Sequence, residues 1–130
     1  MTKKRLESYI SMKEEISELR DKLEHLAEDT TDNSVINDYR SGFPIPQSVV
    51  GVDQHSYWRY HKRYTEQIKE LEKQCAEVEE YIENIQDSLT RRIFRLTFID
   101  GYTQQTVGKI LHTERSNISK KINRFLKENS

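Results

Sequence analysis

The chain has 130 residues, 34% hydrophobic and 33% charged, which argues against a thick globular core and favours long helices with narrow apolar seams. Four glycines and two prolines are few for an all-β protein. The single cysteine, Cys75, excludes an intrachain disulfide. With no apolar run behind the N-terminus and no stretch of about 18 apolar residues, we expect a cytoplasmic protein without a membrane span.

The net charge of −1 hides a strong asymmetry. Residues 1–87 carry 12 Lys and Arg against 19 Asp and Glu, a net charge of −7. Residues 88–130 carry nine Lys and Arg against three acidic residues, a net charge of +6. A small basic unit joined to an acidic one is typical of a polyanion-binding head on a body that does not bind. The sequence therefore predicts two domains, 1–87 and 88–130.

The first predicted element is one helix from about residue 4 to residue 28. Apolar side chains recur in it with a heptad period, at the positions called a and d. They are Tyr9, Met12, Ile16, Leu19, Leu23 and Leu26. No Gly or Pro interrupts the stretch.

Residues 29–55 then form a connection that is unusually long for a compact domain. Glycines and prolines occur here beside apolar residues, and Phe43-Pro44 and Gly51-Val52-Asp53 stand out. We expect a short β-hairpin or a loop packed on the helix ends.

The second predicted helix, residues 56–85, carries a heptad seam of its own. The seam residues are Tyr57, His61, Tyr64, Ile68, Leu71, Cys75, Val78, Ile82 and Ile85. Both helices would be about 40 Å long at 1.5 Å per residue. Because neither can bury its seam alone, they form an antiparallel hairpin, a self-associating coiled coil, or both. We favour the hairpin, with homodimerisation through the coiled coil added.

Residues 55–64 are both aromatic and basic. One interpretation is a second nucleic-acid surface, in which rings stack on bases and Arg59, Lys62 and Arg63 meet phosphates. The other is that Tyr57, His61 and Tyr64 fill the wide end of the coiled coil. We prefer the second, because these three residues lie on the seam.

Three short helices are predicted after residue 87. Ser88 is expected to cap the first, which stops at Asp100-Gly101 because Gly readily adopts a left-handed backbone. Thr103 is expected to cap the second, residues 104–111, with Val107, Ile110 and Leu111 facing inward. The third runs to about Lys127 and turns Ile118, Ile122, Phe125 and Leu126 inward.

The spacing from Gly108 to Ile118 is that of a helix-turn-helix. In this motif two helices cross closely at a small residue, and the third helix of the unit presents its N-terminal half to base edges in the major groove. Arg and Asn side chains can read guanine and adenine there, and the start of the second helix can meet a phosphate. The predicted DNA-contacting residues are Thr103, Gln104, Gln105, Thr113, Arg115, Ser116, Asn117, Ser119, Lys120, Lys121, Asn123 and Arg124.

Residues 92–111 and 116–126 resemble the C-terminal, promoter-reading domain of bacterial sigma factors. The whole chain resembles small prophage-encoded regulators of the RinA and ArpU type, in which an acidic coiled coil precedes a loop with Phe-Pro and Gly-Val-Asp elements. The resemblance implies a regulatory role in a phage or mobile element. One departure is His112, which stands where the family's turn usually has Gly.

The sequence thus predicts an all-α protein, a long antiparallel helical hairpin followed by a C-terminal three-helix helix-turn-helix unit. The expected function is sequence-specific binding of double-stranded DNA to regulate transcription, with RNA polymerase as a possible partner. The alternatives are a phage small terminase subunit and an interaction protein that contacts polymerase or a host factor without binding DNA. No catalytic constellation, metal-ligand spacing or cofactor motif is recognised, so neither an enzyme nor a cofactor is expected.

Overall fold

The computed structural model describes residues 1–27 and 54–129, where the chain is helical and contains no strand. Its elements are α1 (Lys3–Glu7), α2 (Tyr9–Glu24), α3 (Gln54–Glu83), α4 (Ser88–Phe94), a π-helical turn (Arg95–Ile99), α5 (Gln104–Ile110) and α6 (Arg115–Glu128). Helices α2 and α3 pair antiparallel and the small helices follow, so within these residues the predicted all-helical class and the antiparallel pairing of the two long helices are confirmed. The predicted loop at 29–55 lies outside the described residues, except for its last two, which begin α3.

The chain divides into two compact units. The first contains Met1–Glu14 and Glu72–Ser130, and the second contains Glu15–Leu71. The predicted domain boundary at residues 87 and 88 coincides with the start of α4 and lies inside the first unit. The first unit therefore combines the N-terminal residues with the C-terminal helices, an association over long sequence distance that no heptad pattern indicates.

The N-terminal helix is interrupted at Ser8, where the sequence predicted one continuous helix. Ser8 has φ −81° and ψ −7°, and its hydroxyl donates a 2.7 Å hydrogen bond to the carbonyl of Arg5. Serine hydroxyls bonded back to the preceding turn compete with the helical backbone, which accounts for the interruption. The hydroxyl of Thr2 caps α1 by accepting from the amide of Arg5 at 3.2 Å.

The predicted heptad seams are the buried faces of the two long helices. Seam residues that are buried are Tyr9, Met12, Ile16, Leu19, Leu26, Ile68, Cys75, Val78, Ile82 and Ile85. Those that are half-buried are Leu23, Tyr57, His61, Tyr64 and Leu71. Burial of an apolar side chain stabilises by about 1.5–3 kcal/mol, so these seams are the main source of stability for the hairpin.

Phe94 lies fully buried in the first unit. Its ring centroid is 5.4 Å from that of Phe98 and 5.1 Å from that of Phe125. Leu6 of α1 is also fully buried, and the side chain of Ile10 covers Gly101. Residues from the two ends of the chain therefore share one core.

Asp87, and not the predicted Ser88, is the N-cap of α4. Its carboxylate accepts from the backbone amide of Thr90 at 3.0 Å and from the Thr90 hydroxyl at 2.7 Å. These two hydrogen bonds hold the pKa of Asp87 below its usual range. A carboxylate at this position also meets the positive end of the helix dipole, which a serine hydroxyl does not exploit.

The predicted helix from residue 88 to about residue 99 changes its winding at Arg95. The amide of Asp100 donates to the carbonyl of Arg95 at 2.9 Å, five residues back, as in a π-helix. Gly101 then adopts φ +80°, and the amide of Tyr102 donates to the carbonyl of Leu96 at 3.0 Å. The predicted glycine stop is confirmed, because only this left-handed residue allows the closing hydrogen bond.

Candidate nucleic-acid interface

Helix α5 begins where the sequence predicts. Thr103 is its N-cap, and its hydroxyl oxygen accepts from the amide of Thr106 at 3.2 Å. The helix ends at Ile110, one residue earlier than predicted, and Val107 and Gly108 are buried. The inward orientation predicted for Ile110 is wrong, because its side chain is 42% exposed. The buried face of α5 contains Val107 and Gly108. Around the helix axis, Ile110 lies on the opposite side of Val107 from Gly108 and so turns away from this face.

The turn between α5 and α6 is stabilised by three backbone hydrogen bonds. The amides of Leu111, His112 and Thr113 donate to carbonyls of α5 at 3.0, 3.4 and 2.8 Å respectively. His112 has φ +57°, a left-handed backbone that Gly adopts more easily than a residue with a side chain.

Gly108 lies directly beneath this turn. A Cβ at Gly108 would lie 2.7 Å from the carbonyl oxygen of Thr113 and 3.4 Å from the amide nitrogen of Arg115. Both are backbone atoms, so a larger residue would displace the start of α6. Gly108 therefore lies at a close backbone approach, as predicted for the small residue of the motif. Ten residues later Ile118 is buried, also as predicted.

Helix α6 has one buried face and one polar face. Ile118 and Ile122 are buried, and Phe125 and Leu126 are half-buried. The exposed side chains are Arg115, Ser116, Asn117, Lys120, Lys121, Asn123, Arg124 and Lys127. Ser119 is half-buried and lies at the edge of the polar face.

The polar face of α6 is strongly cationic. Five Lys and Arg side chains lie between Arg115 and Lys127, and no acidic residue interrupts them. Over residues 1–27 and 54–129, no ion pair engages Arg115, Lys120, Lys121 or Arg124. These charges are therefore exposed to solvent and available to an anionic ligand.

Asn117 is held by a neighbour in the turn. Its side-chain nitrogen donates to the hydroxyl of Thr113 at 3.2 Å, so two of the predicted contact residues orient each other. This bond uses one N–H of the carboxamide and leaves the other N–H and the oxygen free. A free donor beside a free acceptor is the pair that recognises adenine in the major groove.

The predicted residues at the start of α5 lie in a different environment. Thr103 and Gln105 are exposed and Gln104 is half-buried. Thr103 and Gln104 line a cleft of about 310 Å³. Lys3 and Tyr102 line the same cleft and were missed by sequence reasoning. Lys3 lies at this cleft because the N-terminal residues belong to the first unit. No local pattern in the sequence indicates that placement.

In the part of the chain that the structure describes, no helix is long and apolar enough to cross a membrane. The same residues hold no group of three or more His, Cys, Asp or Glu side chains placed to bind a metal ion. No protein-family model, curated protein or solved structure matches the chain.

Proposed function

We infer that the protein binds double-stranded DNA in a sequence-dependent manner and regulates transcription, with α5 and α6 as a helix-turn-helix. The observation that carries this proposal is the exposed face of α6, where five cations and no acid occur between Arg115 and Lys127. DNA presents about one phosphate charge per 1.7 Å of duplex, so such a face gains affinity by releasing counterions.

The proposed geometry follows from the way α6 is anchored. Gly108 allows α5 to approach the turn at backbone distance, and the buried Ile118 and Ile122 fix the rotation of α6 about its axis. A helix held in this way presents its first turns to base edges while α5 faces the phosphate backbone. Thr103, Gln104 and Gln105 are then placed to contact phosphates.

Two roles are assigned along α6. Arg115 and Asn117 lie in its first turn and are proposed to read bases, because Arg pairs with guanine and Asn with adenine through two hydrogen bonds. Lys120, Lys121 and Arg124 lie further along the polar face and are proposed to contact phosphates. Ser116, Ser119, Asn123 and Thr113 supply short polar groups beside them.

The role in transcription, in a phage or mobile element, is proposed from the sigma-factor and prophage-regulator resemblance of residues 92–126. RNA polymerase is the partner that this resemblance implies. We also propose a homodimer through the coiled coil, which would place two recognition helices about 34 Å apart on successive major grooves.

The test is selection of bound sequences from random duplex DNA at two salt concentrations. Sequence-specific binding predicts a defined motif that persists at the higher salt, and a motif of two half-sites one helical turn apart would indicate the dimer. Absence of any salt-dependent DNA affinity would contradict the proposal and favour a pure interaction protein. A ring of eight or more subunits by light scattering would instead favour the terminase alternative.

Two sets of variants separate the proposed roles on the selected motif. Lys120→Ala is expected to weaken binding to all duplexes and to lower the salt slope by about one. Arg115→Ala and Asn117→Ala are expected to relax base preference at single positions, at a cost of about 1–3 kcal/mol each. Lys69→Ala, which removes an exposed cation from α3, is the matched control and should leave both properties unchanged. If Lys120→Ala behaved like Lys69→Ala, the assigned face would be wrong.

A further inference from the structure

The start of α3 carries a second cationic surface, which we call the Trp58 surface and define as Trp58, Arg59, Tyr60, Lys62 and Arg63. No acidic residue occurs from Gln54 to Thr65, whereas residues 66–83 contain seven. Arg59, Lys62 and Arg63 are exposed, and Trp58, the only tryptophan of the chain, is 55% exposed. A single exposed ring is ordinary on a protein surface, but a tryptophan among three exposed cations calls for an explanation, either from the coiled-coil seam or from a ligand.

The coiled-coil seam does not supply that explanation. Tyr57, His61 and Tyr64 are half-buried on the seam, which agrees with the packing role preferred from the sequence. At 100° per residue, Arg59, Lys62 and Arg63 lie on the side of α3 away from that seam. Trp58 lies between the two sides, so it neither fills the seam nor follows its period.

The ring of Trp58 is held in place by its neighbours. It packs edge-on against Tyr57, with centroids 4.9 Å apart, and against His61 at 5.4 Å. On the other side of the cations, the guanidinium groups of Arg59 and Arg63 lie 5.3 and 5.4 Å from the ring centre of Tyr60. The cations are therefore flanked by aromatic rings on both sides.

We propose that the Trp58 surface binds single-stranded nucleic acid, with Trp58 stacking on an unpaired base and Arg59, Lys62 and Arg63 neutralising the adjacent backbone. Base stacking on an exposed ring combined with a cationic track is how sequence-tolerant single-strand sites work. A duplex keeps its base faces stacked on one another, so it would use the cations without stacking on the ring. The combination of an exposed ring, packed edge-on against its neighbours, and cations on one short stretch of helix favours the single strand.

The experiment uses the whole 130-residue chain and the fluorescence of Trp58, which reports on this surface alone because the chain has no other tryptophan. Oligo(dT) and oligo(U) are titrated at low salt, and both are expected to quench and shift the emission. The triple variant Arg59→Gln, Lys62→Gln, Arg63→Gln retains the reporter and is expected to bind at least about tenfold more weakly. Its salt slope should fall by about two, because each single-strand phosphate contact contributes about 0.7.

Stacking is tested separately with a fluorescently labelled oligo(dT) read by anisotropy. Trp58→Ala is expected to lose about fivefold or more in affinity, since stacking of one base is worth about 1–3 kcal/mol, whereas Trp58→Phe should retain most of it. Circular dichroism of each variant establishes that the helices are intact. Equal affinities for Trp58→Ala and the unmodified protein would overturn the stacking role.

A matched control separates this proposal from the duplex-binding function. The variant Lys120→Gln, Lys121→Gln, Arg124→Gln removes three cations from α6 and should leave the Trp58 quench unchanged. Loss of duplex binding with the quench intact would leave this proposal standing on its own. The proposal is overturned if oligonucleotides do not quench, if the α3 triple variant quenches normally, or if anionic phospholipid vesicles shift Trp58 emission where oligonucleotides do not.

Discussion

The carbonyl oxygen of Gly108 accepts a 2.8 Å hydrogen bond from the amide of Thr113, and a Cβ at Gly108 would lie only 2.7 Å from the Thr113 carbonyl oxygen. The two backbones are thus as close as glycine alone permits. This approach joins α5 to the turn that positions α6, so stability and the proposed DNA binding both depend on it.

Gly108→Ala is expected to lower the free energy of unfolding by about 1–3 kcal/mol, because the turn must shift to admit the methyl group. Urea denaturation followed by circular dichroism measures the effect. Lys109→Ala, an exposed neighbour on α5, should change stability by less than about 0.5 kcal/mol. Equal stability of the two variants would show that the turn does not need the glycine.

His112→Gly is expected to stabilise the protein by about 0.5–1 kcal/mol. His112 adopts φ +57°, where a side chain costs about 1–2 kcal/mol and glycine costs little, although glycine also gains entropy in the unfolded chain. His112→Ala keeps the Cβ and should bring no such gain. The midpoint of thermal unfolding distinguishes them, and an equal rise in both variants would point to the imidazole and not to the backbone.

Removal of two buried tyrosine hydroxyls is expected to change the free energy of unfolding in opposite directions. The Tyr81 hydroxyl is buried with no hydrogen-bond partner among the described residues, so Tyr81→Phe should raise the free energy of unfolding, by about 1 kcal/mol or more. The Tyr9 hydroxyl donates a 2.7 Å hydrogen bond to the Glu79 carboxylate, so Tyr9→Phe should lower it by about 1–2 kcal/mol. Chemical denaturation of the pair measures both, and a loss of stability in Tyr81→Phe would reveal a partner for that hydroxyl.

Protonation of Asp87 is expected to lower the stability of the protein in acid. Hydrogen bonds from the Thr90 side chain and amide lower the pKa of Asp87, so the unfolded chain binds its proton more readily than the folded one. Its stabilisation is complete above the unfolded pKa of about 3.9 and is lost as pH falls through the folded pKa.

Asp87→Asn tests this dependence, because asparagine caps helices through its amide oxygen and does not titrate. The variant should be nearly as stable as the unmodified protein at neutral pH and should lose less stability below about pH 5. Asp87→Ala should be less stable at neutral pH and equally flat in acid. Thermal unfolding of the three proteins across this pH range measures the effect. If stability fell with pH in Asp87→Asn as steeply as in the unmodified protein, the acid sensitivity would come from another group.

Several elements were readable from the sequence because their causes are local. Heptad spacing identified the buried faces of the two long helices. Thr103 could be recognised as the N-cap of α5, and Gly101 as the left-handed residue that ends the preceding helix. Each of these features depends on residues within one or two turns. The spacing from Gly108 to Ile118 likewise indicated a close crossing followed by a buried position. The polar residues of α6 could be named as a candidate site for the same reason.

Other features were decided only by tertiary structure. The N-terminal fourteen residues join the C-terminal helices in one unit, which brings Leu6 into a shared core and Lys3 beside Gln104. Ile110 is exposed because Gly108 draws the buried face of α5 toward α6. Helical periodicity determines which residues share a face, but the partner of that face lies far away in sequence. That partner is determined only in the folded chain, because it depends on how the shapes and apolar surfaces of distant segments fit together, and local sequence patterns describe each segment by itself.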